Sequence, residues 1–168
     1  MFLGKTELKL PEQYRGYVII KEENIDVDKD GRDERVAIIS NMQEKYSSGD
    51  TKSIMIKKSG KLLEISGYGS ELQWQQIGDF NNNGKIDIAT LYGYSGSAGF
   101  GQLYLYEWSG KDFNLLLSKT DVENTAEFKD LDNDGIKELI YNFKQIKWDR
   151  EEHEIYKWNN GKMELVLN

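Results

Sequence analysis

A chain of 168 residues is long enough for one domain with a sizeable core, and its twenty aromatic side chains exclude a disordered segment. The formal charge of −7 excludes the basic surface that nucleic-acid binding requires. The absence of cysteine excludes disulfides, zinc–thiolate sites and a thiol nucleophile. The apolar runs are far too short to span a bilayer as helices, so no transmembrane segment is expected, and Met1–Gly4 is too short for a signal peptide.

Residues 1–21 form an N-terminal segment outside the pattern that follows, read as an edge strand, a cover for the first sheet, or a linker beginning near Pro11. The remaining 22–168 divide into three repeats of about 22–68, 69–121 and 122–168. Each opens on a short loop of one type. In the first, Asp26, Asp28, Asp30, Gly31 and Glu34 stand at loop positions one, three, five, six and nine; in the second, Asp79, Asn81, Asn83, Gly84 and Asp87; in the third, Asp130, Asp132, Asp134, Gly135 and Glu138. Oxygen-bearing side chains at alternate positions of a turning segment suit Ca²⁺, which takes six to eight oxygens at about 2.3–2.6 Å. The glycine allows a positive φ that brings those side chains together. Asp, Asn and Gly are also ordinary turn residues, and it is the threefold recurrence in one register that carries the signal.

Strand-forming runs flank each loop. In the second repeat Leu72–Ile77 approaches and Ile86–Leu91 leaves, followed by Leu103–Tyr106, a turn at Gly110 and Phe113–Leu117. Gly60, Gly110 and Gly161 mark the equivalent hairpin turns, 50 and 51 residues apart. A period near fifty with four strands per unit predicts an all-β fold of three four-stranded antiparallel, blade-like repeats. Propellers typically close with about four to eight blades, so three imply an open fan, half of a six-bladed homodimer, or part of a longer propeller. Loops and glycine turns are expected at one end of the strands, and the connections 41–52, 92–102 and 143–152 at the other.

An EF-hand would need an acid at position twelve and flanking helices. Position twelve holds Ala37, Thr90 and Tyr141, each within a β-rich run, and the last acid stands at position nine. A DxDxDG loop that ends at position nine inside a β-hairpin resembles the calcium loops of FG-GAP/VCBS-type repeats, as in the N-terminal propeller of integrin α-chains. The likeness covers about Ile25 to Leu167 and concerns the metal half of that pattern; no Gly-Ala-Pro element is present, and Phe100-Gly101 is at best a remnant of the other half. It implies that the side chains at positions one, three, five and nine bind Ca²⁺, joined by the position-seven carbonyls of Arg32, Lys85 and Ile136. Up to three ions are expected, with the Asp79–Asp87 loop weakest because it carries two carboxylates against four in each of the others. Three such ions would offset most of the charge, leaving about −1.

Catalysis is not expected. His153 is the only histidine and stands among glutamates; Ser95 and Ser97 lie in a glycine-rich stretch without an evident base. That stretch, Tyr92–Gln102, offers Tyr92, Tyr94 and Phe100 as stacking faces for a ligand, although a connection whose glycines relieve crowding explains it as well. Trp74, Trp108, Trp148 and Trp158 could make a sugar platform, yet aromatics at strand positions are usually packing. The expectation is therefore a non-enzymatic, calcium-stabilised repeat module, extracellular or on a cell surface, that recognises a protein or glycan. The alternatives are a lectin-like carbohydrate binder and an accessory domain of a larger enzyme.

Overall fold

The computed structural model describes residues 10–41, 50–57, 61–94, 99–145 and 150–167. Eleven strands account for most of them: β1 (Val18–Ile25), β2 (Glu34–Ser40), β3 (Thr51–Ile56), β4 (Leu62–Gly69), β5 (Glu71–Gly78), β6 (Asp87–Gly93), β7 (Phe100–Trp108), β8 (Phe113–Lys129), β9 (Glu138–Gln145), β10 (Arg150–Asn159) and β11 (Lys162–Leu167). The fold is all-β, with no α-helix among the described residues, and every pairing is antiparallel between strands consecutive in sequence.

The strands form one sheet of four, β1 to β4, and one of seven, β5 to β11. Three separate four-stranded blades are thus not what the chain builds, and the sheets do not close into a propeller. The cause is β8. Its first half pairs with β7 and its second half with β9, so one strand of 17 residues ends one repeat and begins the next. In its second half Val122, Asn124, Ala126 and Phe128 point inward and the residues between them outward, an unbroken period of two. The equivalent junction between β4 and β5 is interrupted at Ser70.

The units pack face to face in chain order. On β6, Ile88 and Tyr92 turn toward the first sheet while Ala89 and Leu91 turn toward the third unit. On β7, Tyr104, Tyr106 and Trp108 face the former and Leu103 and Leu105 the latter. Such full burial on both faces explains why β6 reads as a continuous apolar run rather than an alternating one. The other face of the first sheet is covered by the N-terminal segment. There a 3₁₀ turn (Glu12–Tyr14) buries Tyr14, which packs with Leu10 and Tyr17 on Ala37, Ile39 and Ile54. Of that segment, residues 10–17 cover the first sheet and residues 18–21 begin β1, its edge strand; residues 1–9 lie outside the described residues. The outward face of the third unit differs in chemistry. Leu91 and Leu103, paired and buried in the middle unit, correspond there to Asn142 and His153, paired and exposed.

Candidate metal-binding loops

Each loop joins the first two strands of its unit and adopts one conformation. The position-one aspartate caps it: Asp26 accepts the N–H groups of Asp30 and Gly31 at 3.0 and 2.9 Å. Asp79 accepts those of Asn83 and Gly84 at 3.0 and 2.8 Å. Asp130 accepts those of Asp134 and Gly135 at 3.2 and 3.0 Å. The acid at position nine reaches back to the N–H at position two, Glu34 to Val27 at 3.0 Å, Asp87 to Phe80 at 2.9 Å and Glu138 to Leu131 at 2.8 Å. Two left-handed residues curl each loop. At position four Lys29, Asn82 and Asn133 have φ of 56°, 55° and 62°, and the glycines at position six have φ of 83°, 87° and 86°. A side chain at those glycines would be strained, so the sixth residue is fixed by backbone geometry.

The folding of the loops draws acids together. Carboxylate oxygens of Asp26, Asp28 and Glu34 lie within 4.8 Å of one another, as do those of Asp130, Asp132 and Glu138. Both trios are able to hold a metal ion. Asp30 and Asp134, expected in the same sets, are exposed and stand outside these trios. In the middle loop Asn81 Oδ1 accepts the N–H of Asn83 at 3.1 Å, and Asn83 Oδ1 that of Lys85 at 2.8 Å. At position seven, Arg32 is exposed and Ile136 gives its N–H to Asp134 at 2.7 Å. The donor set fits a hard cation on a further count. Asp28 Oδ1 and Asp87 Oδ1 are shut off from solvent with no protein partner, an arrangement costly for a carboxylate unless a cation or donor meets it.

Three residues at these loops escape a reading of the loop segments alone. Lys57 Nζ lies 2.7 Å from Asp28 Oδ2, and Lys157 Nζ lies 2.6 Å from Asp132 Oδ2 and 3.3 Å from Glu138 Oε1. At the corresponding place beside the middle loop stands Glu107. It accepts Asn81 Nδ2 at 3.3 Å, Asn83 Nδ2 at 2.6 Å and Lys85 Nζ at 2.6 Å. A signal was available: these residues are spaced by fifty and fifty, almost the period of the glycine turns. The contacts also place the loops and the ends of the third strands together at one end of the units, as expected. The loops touch in turn. Lys29 Nζ lies 3.9 Å from Asp79 Oδ2, and the N–H of Lys137 donates to the carbonyl of Phe80 at 2.8 Å.

Burial pushes the Asp87 carboxyl up to about 7; the Phe80 N–H opposes this, and the charges of Glu107 and Asp79 add to it. Burial also acts upward on Glu107, but bonds from Lys85, Asn83 and Asn81 outweigh it and hold that carboxyl below its ordinary value. The Lys157 hydrogen bond draws Asp132 down.

Other expected site residues fare differently. Tyr92 is wholly buried between the first sheet and β7, sharing a short hydrogen bond with Ser53, so it offers no stacking face to a ligand. That expectation is corrected: a central strand packed on both faces leaves its aromatics in the core. Tyr94 is half-buried with its hydroxyl on Gln102, and Phe100 is partly exposed. Trp108 is buried in the first interface, and Trp74 and Trp158 pack on the second, so these three are packing residues. Ser95, Ser97, Trp148 and the turn at Gly60 lie outside the described residues.

No helix among the described residues is long and apolar enough to cross a membrane. No family model, no curated protein and no solved structure matches this chain.

Proposed function

We propose that this protein is a non-enzymatic calcium-binding repeat module, in which Ca²⁺ held in the loops staples the first two strands of each unit. The observation that carries the reading is the convergence of Asp26, Asp28 and Glu34, and of Asp130, Asp132 and Glu138, each within 4.8 Å on loops of one conformation. Oxygen donors alone, without histidine or cysteine, favour Ca²⁺ over a transition metal. Mg²⁺ keeps several waters and a strict octahedron, which these dense loops oppose. When bound, the ion neutralises acids that otherwise repel across the root of the hairpin, and at 100 times its dissociation constant one site contributes about 2.7 kcal/mol.

The work of such a module is recognition of a protein or glycan, outside the cell or on its surface, where millimolar calcium fills even weak sites. The loops occupy one end of the units, which leaves the opposite end for the partner. A blade-like stack of three units serves this role as an open fan, as half of a six-bladed homodimer or as part of a longer propeller. Residues 10–17 cover one end of the stack, and the other carries the exposed Asn142–His153 pair beside the partly buried Ile140–Ile155 pair.

Calcium titration of the chelator-treated chain by calorimetry, with melting followed in parallel, tests the reading. Binding accompanied by a rise in melting temperature is expected. No heat up to millimolar calcium would reduce the loops to turns closed by their own lysines.

A further inference from the structure

The middle loop is closed by groups that the outer loops lack. The end of the third strand brings Lys57 to the first loop and Lys157 to the third, but it brings Glu107 to the middle one, paired with Asp87 in the register of β6 and β7. The carboxylates of Asp79, Asp87 and Glu107 are not drawn together as the outer trios are. Glu107 instead accepts Asn81 Nδ2 at 3.3 Å, Asn83 Nδ2 at 2.6 Å and Lys85 Nζ at 2.6 Å. We propose that these contacts form a metal-free clasp, which does in the middle unit what an ion does in the other two. The chain then binds two calcium ions, one in each outer loop, and its middle loop stays closed without calcium. The inference rests on the calcium reading above and narrows it from three loops to two.

The asparagines are what make the clasp possible. Each uses both ends of its amide. The nitrogens donate to Glu107, while Asn81 Oδ1 accepts the N–H of Asn83 at 3.1 Å and Asn83 Oδ1 that of Lys85 at 2.8 Å. Reversing either amide would set oxygen against carboxylate and N–H against N–H, so chemistry fixes the orientation. Aspartates at these two positions would add charge for an ion but could donate nothing to Glu107. Asp87 Oδ1 is the buried oxygen left without a partner at this loop. One such oxygen asks for one donor, whereas a calcium ion needs about six to eight oxygens around it.

Charge separates the loops in the same direction. Each outer trio gathers three carboxylates, and the third-strand lysine offsets one of those charges. Around the middle loop two lysines offset two of three. Lys85 lies on Glu107, and Lys29, reaching over from the first loop, stands 3.9 Å from Asp79 Oδ2. An ion entering there would meet two ammonium groups, and like charges repel more strongly in a partly buried site than in water. The Glu107 side chain is only 10% exposed, so water competes little for its three bonds, which are of the strong, charge-assisted kind. The middle unit packs against both neighbours. A loop that needs no ion thus keeps the centre of the stack closed while the outer loops fill and empty.

The test is calcium titration of the chelator-treated full chain, with Ca²⁺ as the probe and the number of ions bound as the readout. Two ions are expected. Asp26→Ala and Asp130→Ala should each remove one, and Asp79→Ala none. Glu107→Gln keeps shape and removes the charge that holds the clasp. It should lower the melting temperature of the calcium-free chain by about 4–8 °C and leave both calcium steps within about twofold. Hydrogen exchange of the parent chain keeps the proposal falsifiable if Asp79→Ala folds poorly. Calcium should slow exchange of the Gly31 and Gly135 amides about tenfold or more and leave that of Gly84 within about twofold. A third ion that is lost in Asp79→Ala, slowing at Gly84 equal to that at Gly31, or an unchanged melting temperature in Glu107→Gln would overturn the clasp while the calcium reading stands. Absence of calcium binding in the parent chain would remove both.

Discussion

The two junctions between neighbouring units do the same job with different parts. Between the first and second units the chain breaks its strand: β4 ends at Gly69, Ser70 makes the step, and β5 begins at Glu71. Gly69 is required there by close approach, since a Cβ would stand 2.3 Å from Tyr92 Cβ and 3.0 Å from the Gly93 carbonyl. Between the second and third units the strand continues, with only a register shift between Val122 and Thr125. Glu123 takes φ of 48°, and Asn124 ties the bend by donating to the Gly101 carbonyl at 3.0 Å and the Tyr141 hydroxyl at 2.8 Å. The difference teaches that the repeat does not determine the number of sheets. A glycine packed against Tyr92 stands where the two sheets part, while a buried amide stands where the strand runs on from one unit to the next.

The comparison breaks most severely at Gly69. Gly69→Ala should cost about 3 kcal/mol, because backbone and a packed Cβ must both move; urea unfolding with an unchanged slope would measure it. A cost below about 1 kcal/mol would mean that the first junction is looser than its contacts imply.

Alkaline titration probes the same junction from the ring's side. Burial pushes the Tyr92 hydroxyl up to about 12, from 10.0 in the unfolded chain. The folded value is the higher one, so the associated stability is intact below pH 10 and is lost as the pH rises through 12. The contribution is about 2–3 kcal/mol at full loss, by the linkage of pKa to folding. Other buried tyrosines titrate too, so the measurement is the difference in stability between the parent chain and Tyr92→Phe from pH 9 to 12. That difference should shrink steadily over this range.

At the second junction, Asn124→Ala should cost about 2 kcal/mol by leaving the Gly101 carbonyl and the Tyr141 hydroxyl without their donor. Hydrogen exchange should then report earlier opening in β9 and β10 than in β6. Smallest is Glu123→Gly. Relief of a left-handed non-glycine residue favours it by about 1–2 kcal/mol, and the lost strand propensity of glycine offsets about half. A net gain below about 1 kcal/mol in melting experiments is expected; a loss would show that the Glu123 side chain, 3.6 Å from Lys144, matters more than its backbone.

Much of this was legible in the residues. The loops, the glycine turns and the four strands per unit follow from local spacing, because turn geometry and a period of two are local properties. The division into sheets was not legible at Asp121–Asn124. A polar stretch there reads as a boundary, and only the tertiary partners of Asn124 make it a buried strand position. Tyr92 misled for a related reason: beside four glycines it suggested a ligand face, whereas a strand covered on both sides holds it in the core. Glu107 lay between reach and oversight. Its spacing from Lys57 and Lys157 was present in the sequence, but its meaning required knowing that the third strand ends beside the first loop.

Because every strand pairs only with its neighbours in the chain, no long loop must close before native contacts begin to form. Loop-closure entropy thus stays small at every step, and a chain of this topology should fold faster than β-sandwiches of its size. It also suits assembly during synthesis. The first sheet can form its hydrogen bonds, and take up its cover, while the residues of the last unit are still to be made.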